Sequence, residues 1–294
     1  MTWRAGEAAA FRRVLLQADF DRFARLTGDD NPIHCDPAFA ACSHFGATVC
    51  HGMLLYGCIA KALAELIPGP GAVQLEQELM FPHPTFVGEE ITVSLRVERV
   101  NADGTLELGT TITKPGSEAA VITAQGRTRV APPGVTSHAP APSVHLLEPG
   151  DDELYGLRPG MTASATRTFS DADLEQYGDL VGDRNPSHRD DAYARRLGLP
   201  GRVVPGPLLA GMFSDLLGTR LPGRGTGWMK QKLVFLSPAC PGEALTALVE
   251  IVRLRRDKEL VNLRSTITGA DGRLVCDGES LVLVRNLESK REAR

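Results

Sequence analysis

Several features that would assign a chain to a class by composition are missing from this sequence. Basic residues do not exceed acidic ones: 32 Lys and Arg stand against 36 Asp and Glu, a net charge of −4. A surface that neutralises a phosphate backbone needs the opposite balance, so no nucleic-acid partner is expected. No apolar run approaches the roughly 20 residues that cross a bilayer. The N-terminal MTWRAGEAAAFRRV has neither the apolar core nor the cleavage site of a secretory signal. No membrane partner is therefore expected, and the expected location is cytoplasmic. The six cysteines, at 35, 42, 50, 58, 240 and 276, include no C-x-x-C pair. That spacing excludes compact zinc frameworks and leaves the thiols as small buried hydrophobes of a reducing compartment.

What is present suffices for a packed core. Of 294 residues, 43% are hydrophobic and 23% charged, the size of one large or two ordinary domains. Two domains are favoured by an internal repeat. Residues 28 to 34 read GDDNPIH and residues 182 to 188 read GDRNPSH, so His188 follows His34 by 154 positions. The same offset carries Asp29 onto Asp183, Asn31 onto Asn185, Asp36 onto Asp190 and Gly52 onto Gly206. Further on it carries Phe81 onto Phe235, Pro84 onto Pro238 and Gly88-Glu89 onto Gly242-Glu243. A gapless register over about 60 residues marks two domain-sized copies rather than a solenoid. The boundaries expected are 1–130 and 151–294, joined by the Pro/Ala-rich linker 131–150.

Each copy is expected to open with a short amphipathic helix. In the second it starts after Ser170, with Asp173 completing a capping box and Leu174, Tyr177 and Leu180 at helical spacing. Phe20, Phe23 and Leu26 match them in the first copy. The motif follows as a loop, then GMLLYGCIAKALAELI or GPLLAGMFSDLLGTRL, helices apolar over most of their circumference. Alternating segments such as EITVSLRVERV and ALTALVEIVRL predict half-buried antiparallel strands. The expected architecture is α+β, a sheet curled around one buried helix in each copy.

Asp29 and His34 would point about 140° apart on a straight helix. Pro32 disfavours helix at Asn31, so a turn that brings Asp and His together is expected, with Asn31 fixing it through side-chain bonds to the backbone. An Asp and a His converging on one point can hold a water, the carboxylate accepting one proton and the imidazole delivering or receiving the other. Their pKa values would be set by burial and by one another. Gly52 and Gly206, each at the start of an apolar helix, offer a backbone N–H to a carbonyl oxygen that gains charge. The alternative for each element is structural: a turn residue, a satisfied histidine, an ordinary helix start.

LTGDDNPIHCDPAFA followed by VCHGMLL resembles the MaoC-like, R-specific type-2 enoyl-CoA hydratases of the hot-dog fold. The resemblance covers both copies and implies a tandem hot-dog. It also implies reversible addition of water to a 2-enoyl-CoA, giving the (R)-3-hydroxyacyl-CoA. No metal or redox cofactor is implied, since coenzyme A is part of the substrate. Carried over, Asp29 with His34 and Asp183 with His188 are the acid–base pairs, and Asn31 and Asn185 orient them. The Gly52 and Gly206 amides form the oxyanion holes. The halves are expected to pair as a pseudo-dimer, with a further homo-oligomer open.

Copy two departs from the pattern where His51-Gly52-Met53 becomes Pro205-Gly206-Pro207 and Ile33 becomes Ser187. Alternatives that share the Asp–His chemistry are a dehydratase of a carrier-protein or polyketide intermediate and a hydratase of a dicarboxylic acyl-CoA. A thioesterase and a non-catalytic acyl-CoA-binding shell are less well matched. His44, His51 and Asp36 match no compact ligand spacing, so surface or supporting roles are expected of the two histidines. Lys230 and Lys232, aligned with Glu76 and Glu78, are expected to form a charge pair or to be solvated.

Overall fold

The computed structural model describes residues 3–135 and 150–287. Most of the expected linker, with His138 and His145, lies outside the described residues. The first copy runs β1 (Ala8–Val14), α1 (Gln17–Thr27), α2 (Pro32–Cys35), α3 (Pro37–Cys42), α4 (Gly52–Glu65), β2 (Val73–Met80), β3 (Glu90–Val100), β4 (Leu106–Lys114) and β5 (Val121–Ala131). The second runs β6 (Thr162–Thr168), α5 (Asp171–Val181), α6 (Asp191–Arg196), α7 (Gly206–Asp215), β7 (Gly227–Phe235), β8 (Ala244–Arg255), β9 (Leu260–Gly269) and β10 (Leu274–Leu283).

The strands form one antiparallel sheet of ten, ordered β1-β3-β4-β5-β2-β7-β10-β9-β8-β6. Each half repeats one order of five, and the halves join where β2 pairs with β7, from Glu76↔Val234 to Met80↔Lys230. Lys230 meets Glu78 there as an ion pair across the join. Strand alternation works as the sequence suggests: Ile91, Val93, Leu95 and Val97 of β3, and Leu245, Ala247, Val249 and Ile251 of β8, are all buried.

The opening of each copy differs from expectation, because a strand precedes the amphipathic helix. β1 and β6 are the two edges of the sheet, and their residues alternate only between half-buried and exposed. An edge strand with no fully buried face carries little of the hydrophobic alternation that reveals strands. The helix after it is as expected: Ser170 caps α5 in a capping box with Asp173, and Phe20, Phe23, Leu26, Leu174, Tyr177 and Leu180 are buried.

The central helices are buried almost all round, and α4 packs against α7 across the pseudo-two-fold. Each also rests on the leading helix of the other half at a glycine. A Cβ on Gly57 would lie 2.6 Å from Val181, and one on its repeat partner Gly211 would lie 2.5 Å from Thr27. This close approach brings each motif loop under the helix of the opposite half. The helices differ at their ends: α4 is regular through Glu65, whereas α7 widens into a π-helical turn over Leu216–Arg220.

Cys50, Cys58 and Cys276 are buried as expected, Cys35 and Cys240 are half-buried, and Cys42 is exposed.

Candidate active sites

The first glycine of each motif ends a helix. Gly28 (φ 88°) and Gly182 (φ 82°) adopt the left-handed conformation and return their N–H groups to Ala24 and Gly178. Asn31 and Asn185 follow with extended backbone, as a residue before proline should. Each accepts from the N–H two residues on, at 3.4 Å for Ile33 and 3.2 Å for Ser187. The chain then turns into α2, or into one 3₁₀ turn over Pro186–His188.

The asparagines do more than fix the local turn. Asn31 donates to the Thr226 carbonyl at 3.1 Å and accepts from the Gly225 N–H at 3.1 Å, both in the other half. Asn185 does the same with the Ala72 carbonyl, at 2.9 Å, and the Gly71 N–H, at 3.0 Å. Each motif is therefore stitched to the opposite copy.

In site one, Asp29, His34 and Gly52 line one cavity of about 180 Å³. Asp29 is buried; its Oδ1 accepts from the Asn31 N–H at 3.2 Å and its Oδ2 from the Ser214 hydroxyl of α7. Gly218 in the π-helical turn leaves room for it, since a Cβ there would lie 2.6 Å from Oδ1. Burial pushes the Asp29 carboxyl up to about 7, against the downward pull of the Ser214 and Asn31 hydrogen bonds. His34 Nδ1 lies 2.7 Å from the Val49 carbonyl, an acceptor, so Nδ1 carries the proton and Nε2 keeps its lone pair. Burial lowers His34 to about 4, so the ring is neutral near pH 7.

His51 is fully buried rather than at the surface. Its ring stacks on His34 at 3.8 Å, and its Nε2 lies 3.1 Å from the Asp29 carbonyl oxygen. His44 instead meets Asn286, and Asp36 caps α3. Asp29, His34 and His51 bring three potential metal-ligand atoms within 4.8 Å of one another. His51 Nε2 donates to the Asp29 carbonyl, however, so in this tautomer it has no lone pair there for a cation.

In site two, Asp183, His188 and Gly206 line a cavity of about 230 Å³. His188 Nε2 is 4.0 Å from Asp183 Oδ2, and His188 Nδ1 is 2.7 Å from the Val203 carbonyl. Burial raises the Asp183 carboxyl, opposed first by the charge of His188 and then by the Asn185 N–H. The residues matching His51 and Ser214 are Pro205 and Ala60, so the stacked ring and the hydroxyl are both absent here.

Gly52 and Gly206 begin α4 and α7, where a first-turn N–H has no intrahelical acceptor. A Cβ on either would press on an aromatic ring, Phe81 at 3.0 Å and Phe235 at 2.8 Å. That explains why the repeat keeps the glycine and the phenylalanine together.

Residues 5–118 and 157–270 each match the model of the MaoC like domain. The chain belongs to this family, in two copies. Among its relatives, a Rhodospirillum rubrum protein named (R)-specific enoyl-CoA hydratase is 38% identical over 128 residues, which is 44% of this chain and 88% of that protein. An Aeromonas caviae protein of the same name is 37% identical over 126 residues, 43% of this chain and 94% of the relative. A single MaoC-like copy is thus about as long as either relative. A Mycobacterium tuberculosis structure described as a double hotdog fold superposes with a TM-score of 0.71 at 15% identity, covering 96% of both chains. At that identity the likeness concerns the fold, and the fold here is a double hot-dog.

Sequence reasoning missed Ser214 and underrated His51. Ser214 lies 185 positions from Asp29 on a helix apolar over most of its circumference, and only the crossing of α7 over the motif loop reveals it. The spacing of His51 from His44 and Asp36 matches no ligand set, which leaves its place against Asp29 and His34 unread. Its adjacency to Gly52 was the available signal.

Proposed function

We propose that the chain hydrates 2-enoyl thioesters reversibly at two sites, giving (R)-3-hydroxyacyl products. The observation that carries this reading is an Asp–His pair and a helix-start glycine amide on one cavity, built twice. The names and identities of the Rhodospirillum rubrum and Aeromonas caviae relatives support coenzyme A as the carrier.

In site one, a water between Asp29 and His34 gives a proton to His34 Nε2 as its oxygen bonds to Cβ of the substrate. The π pair moves to Cα and charge builds on the thioester oxygen, which the Gly52 amide receives. Asp29, partly protonated near pH 7, delivers a proton to Cα. The imidazolium, far the stronger acid of the two, returns its proton to the Asp29 carboxylate through a second water. One water is consumed, and both groups are restored without an oxidant or reductant. Asp183, His188 and Gly206 carry out the same net addition in site two.

The test is loss of the enoyl-thioester absorbance from crotonyl-CoA with the wild type, Asp29→Asn, Asp183→Asn and the double variant. Partial loss of activity in each single variant and nearly complete loss in the double is the expected result. Abolition by Asp29→Asn alone would reduce copy two to a structural partner, and an inactive wild type would remove the hydratase reading for this substrate.

A further inference from the structure

Two buried hydroxyls of site one take no part in the hydrogen bonding among the described residues. Thr85 and Thr226 are 2% and 4% exposed, and neither Oγ1 has a hydrogen-bond partner among the described residues. Both residues line the cavity of site one, Thr85 from the first half and Thr226 from the second. A buried hydroxyl left unmade is unfavourable, so such groups in a site point to something they bind.

The repeat supplies an internal control. The residues matching Thr85 and Thr226 are Ala239 and Ala72, and both line the cavity of site two. The backbone roles are retained in full. The Thr85 carbonyl accepts from the Cys50 N–H at 2.8 Å, as the Ala239 carbonyl does from Val204 at 2.8 Å. The Thr226 carbonyl accepts from the Asn31 amide, as the Ala72 carbonyl does from Asn185. Alanine therefore meets every structural demand at these positions, and the two hydroxyls in site one are additional.

Their backbones lie beside the catalytic loop and the approach to Gly52, so a group they serve sits near the reacting carbons and not at a distant chain end. That group is uncharged. Among the described residues, neither cavity is lined by a lysine or an arginine that could hold a second carboxylate. A dicarboxylic acyl-CoA is disfavoured for the same reason.

We propose that site one accepts an acyl thioester carrying a neutral oxygen substituent, a hydroxyl or carbonyl, close to the double bond, a preference that site two, without the Thr85 and Thr226 hydroxyls, does not share. This inference rests on the hydratase reading of both sites.

The experiment measures kcat/KM for crotonyl-CoA and trans-4-hydroxycrotonyl-CoA, which differ by one oxygen. Asp183→Asn isolates site one and Asp29→Asn isolates site two. The preference ratio, hydroxylated over plain, is expected to be roughly tenfold higher in site one. Replacing both Thr85 and Thr226 by Ala in the Asp183→Asn background should bring the ratio down to that of site two. Ala72→Thr in the Asp29→Asn background should raise it, a gain that misfolding cannot imitate. Equal ratios at the two sites, or a ratio indifferent to these substitutions, would overturn the proposal. If the wild type consumes neither thioester, the hydratase reading fails by itself. Calorimetric binding of the same two thioesters to the same variants then reads the preference directly, and equal affinities would reject it.

Discussion

Site one and site two share a backbone and differ in their side chains. Both have the left-handed glycine, the asparagine stitched to the opposite half, the histidine held by Nδ1 on a valine carbonyl, and the glycine under a phenylalanine ring. Around that frame, site one adds His51, Ser214, Thr85 and Thr226, where site two has Pro205, Ala60, Ala239 and Ala72, and site two sets Ser187 where site one has Ile33. The features held in common are those that the fold and the proposed acid–base step both need. The features that differ alter the polarity of the wall and the support of the carboxylate, leaving the geometry in place.

The largest expected effect tests whether the two stitches are equivalent. Asn31→Ala strands the Gly225 N–H and the Thr226 carbonyl in a buried seam, a loss of roughly 2–6 kcal/mol for two unsatisfied groups. Asn185→Ala does the same to Gly71 and Ala72. Urea melts of both variants should show similar losses, and a much smaller loss at one position would break the symmetry.

Next comes the cost of burying the carboxylates. The folded value of Asp29 is about 7 against an ordinary 3.8, so the folded state holds that proton more tightly than the unfolded chain. The associated stability is complete below about pH 4 and is lost as pH rises through 7. Asp29→Asn removes this loss. Thermal melts should show the variant more stable than wild type at pH 8, by up to about 4 kcal/mol, with no gain at pH 4. Asp183→Asn should gain in the same direction but less, since the charge of His188 opposes the shift there.

The smallest effect sharpens the comparison. Ser214→Ala removes from Asp29 the one hydroxyl contact that Asp183 lacks, a hydrogen bond worth about 1.5–3 kcal/mol. In the Asp183→Asn background, the descending limb of the pH–rate profile should move to higher pH, because the hydroxyl holds the carboxyl down. Ala60→Ser in the Asp29→Asn background should move the limb of site two the other way. A profile insensitive to both would separate the hydroxyl from the titration.

Much of this was legible in the chain. The offset of 154 residues, the proline after each asparagine and the uniformly apolar helices identified the copies, the turns and the core, because each of these signals is local. β1 and β6 escaped because edge strands bury no complete face. The meeting of Lys230 with Glu78 was open until β2 and β7 were seen to pair. The sequence alone therefore determined two copies of one domain, each with an Asp and a His on one turn and a glycine at the start of an apolar helix. Only the tertiary structure decided that each site is completed by the other half. Asn31 to Thr226, Asp29 to Ser214 and Asn185 to Ala72 are contacts over more than a hundred positions. Such contacts arise where each central helix crosses the leading helix of the other half, at Gly57 and at Gly211, and a packing angle leaves no periodic trace in the residues it brings together.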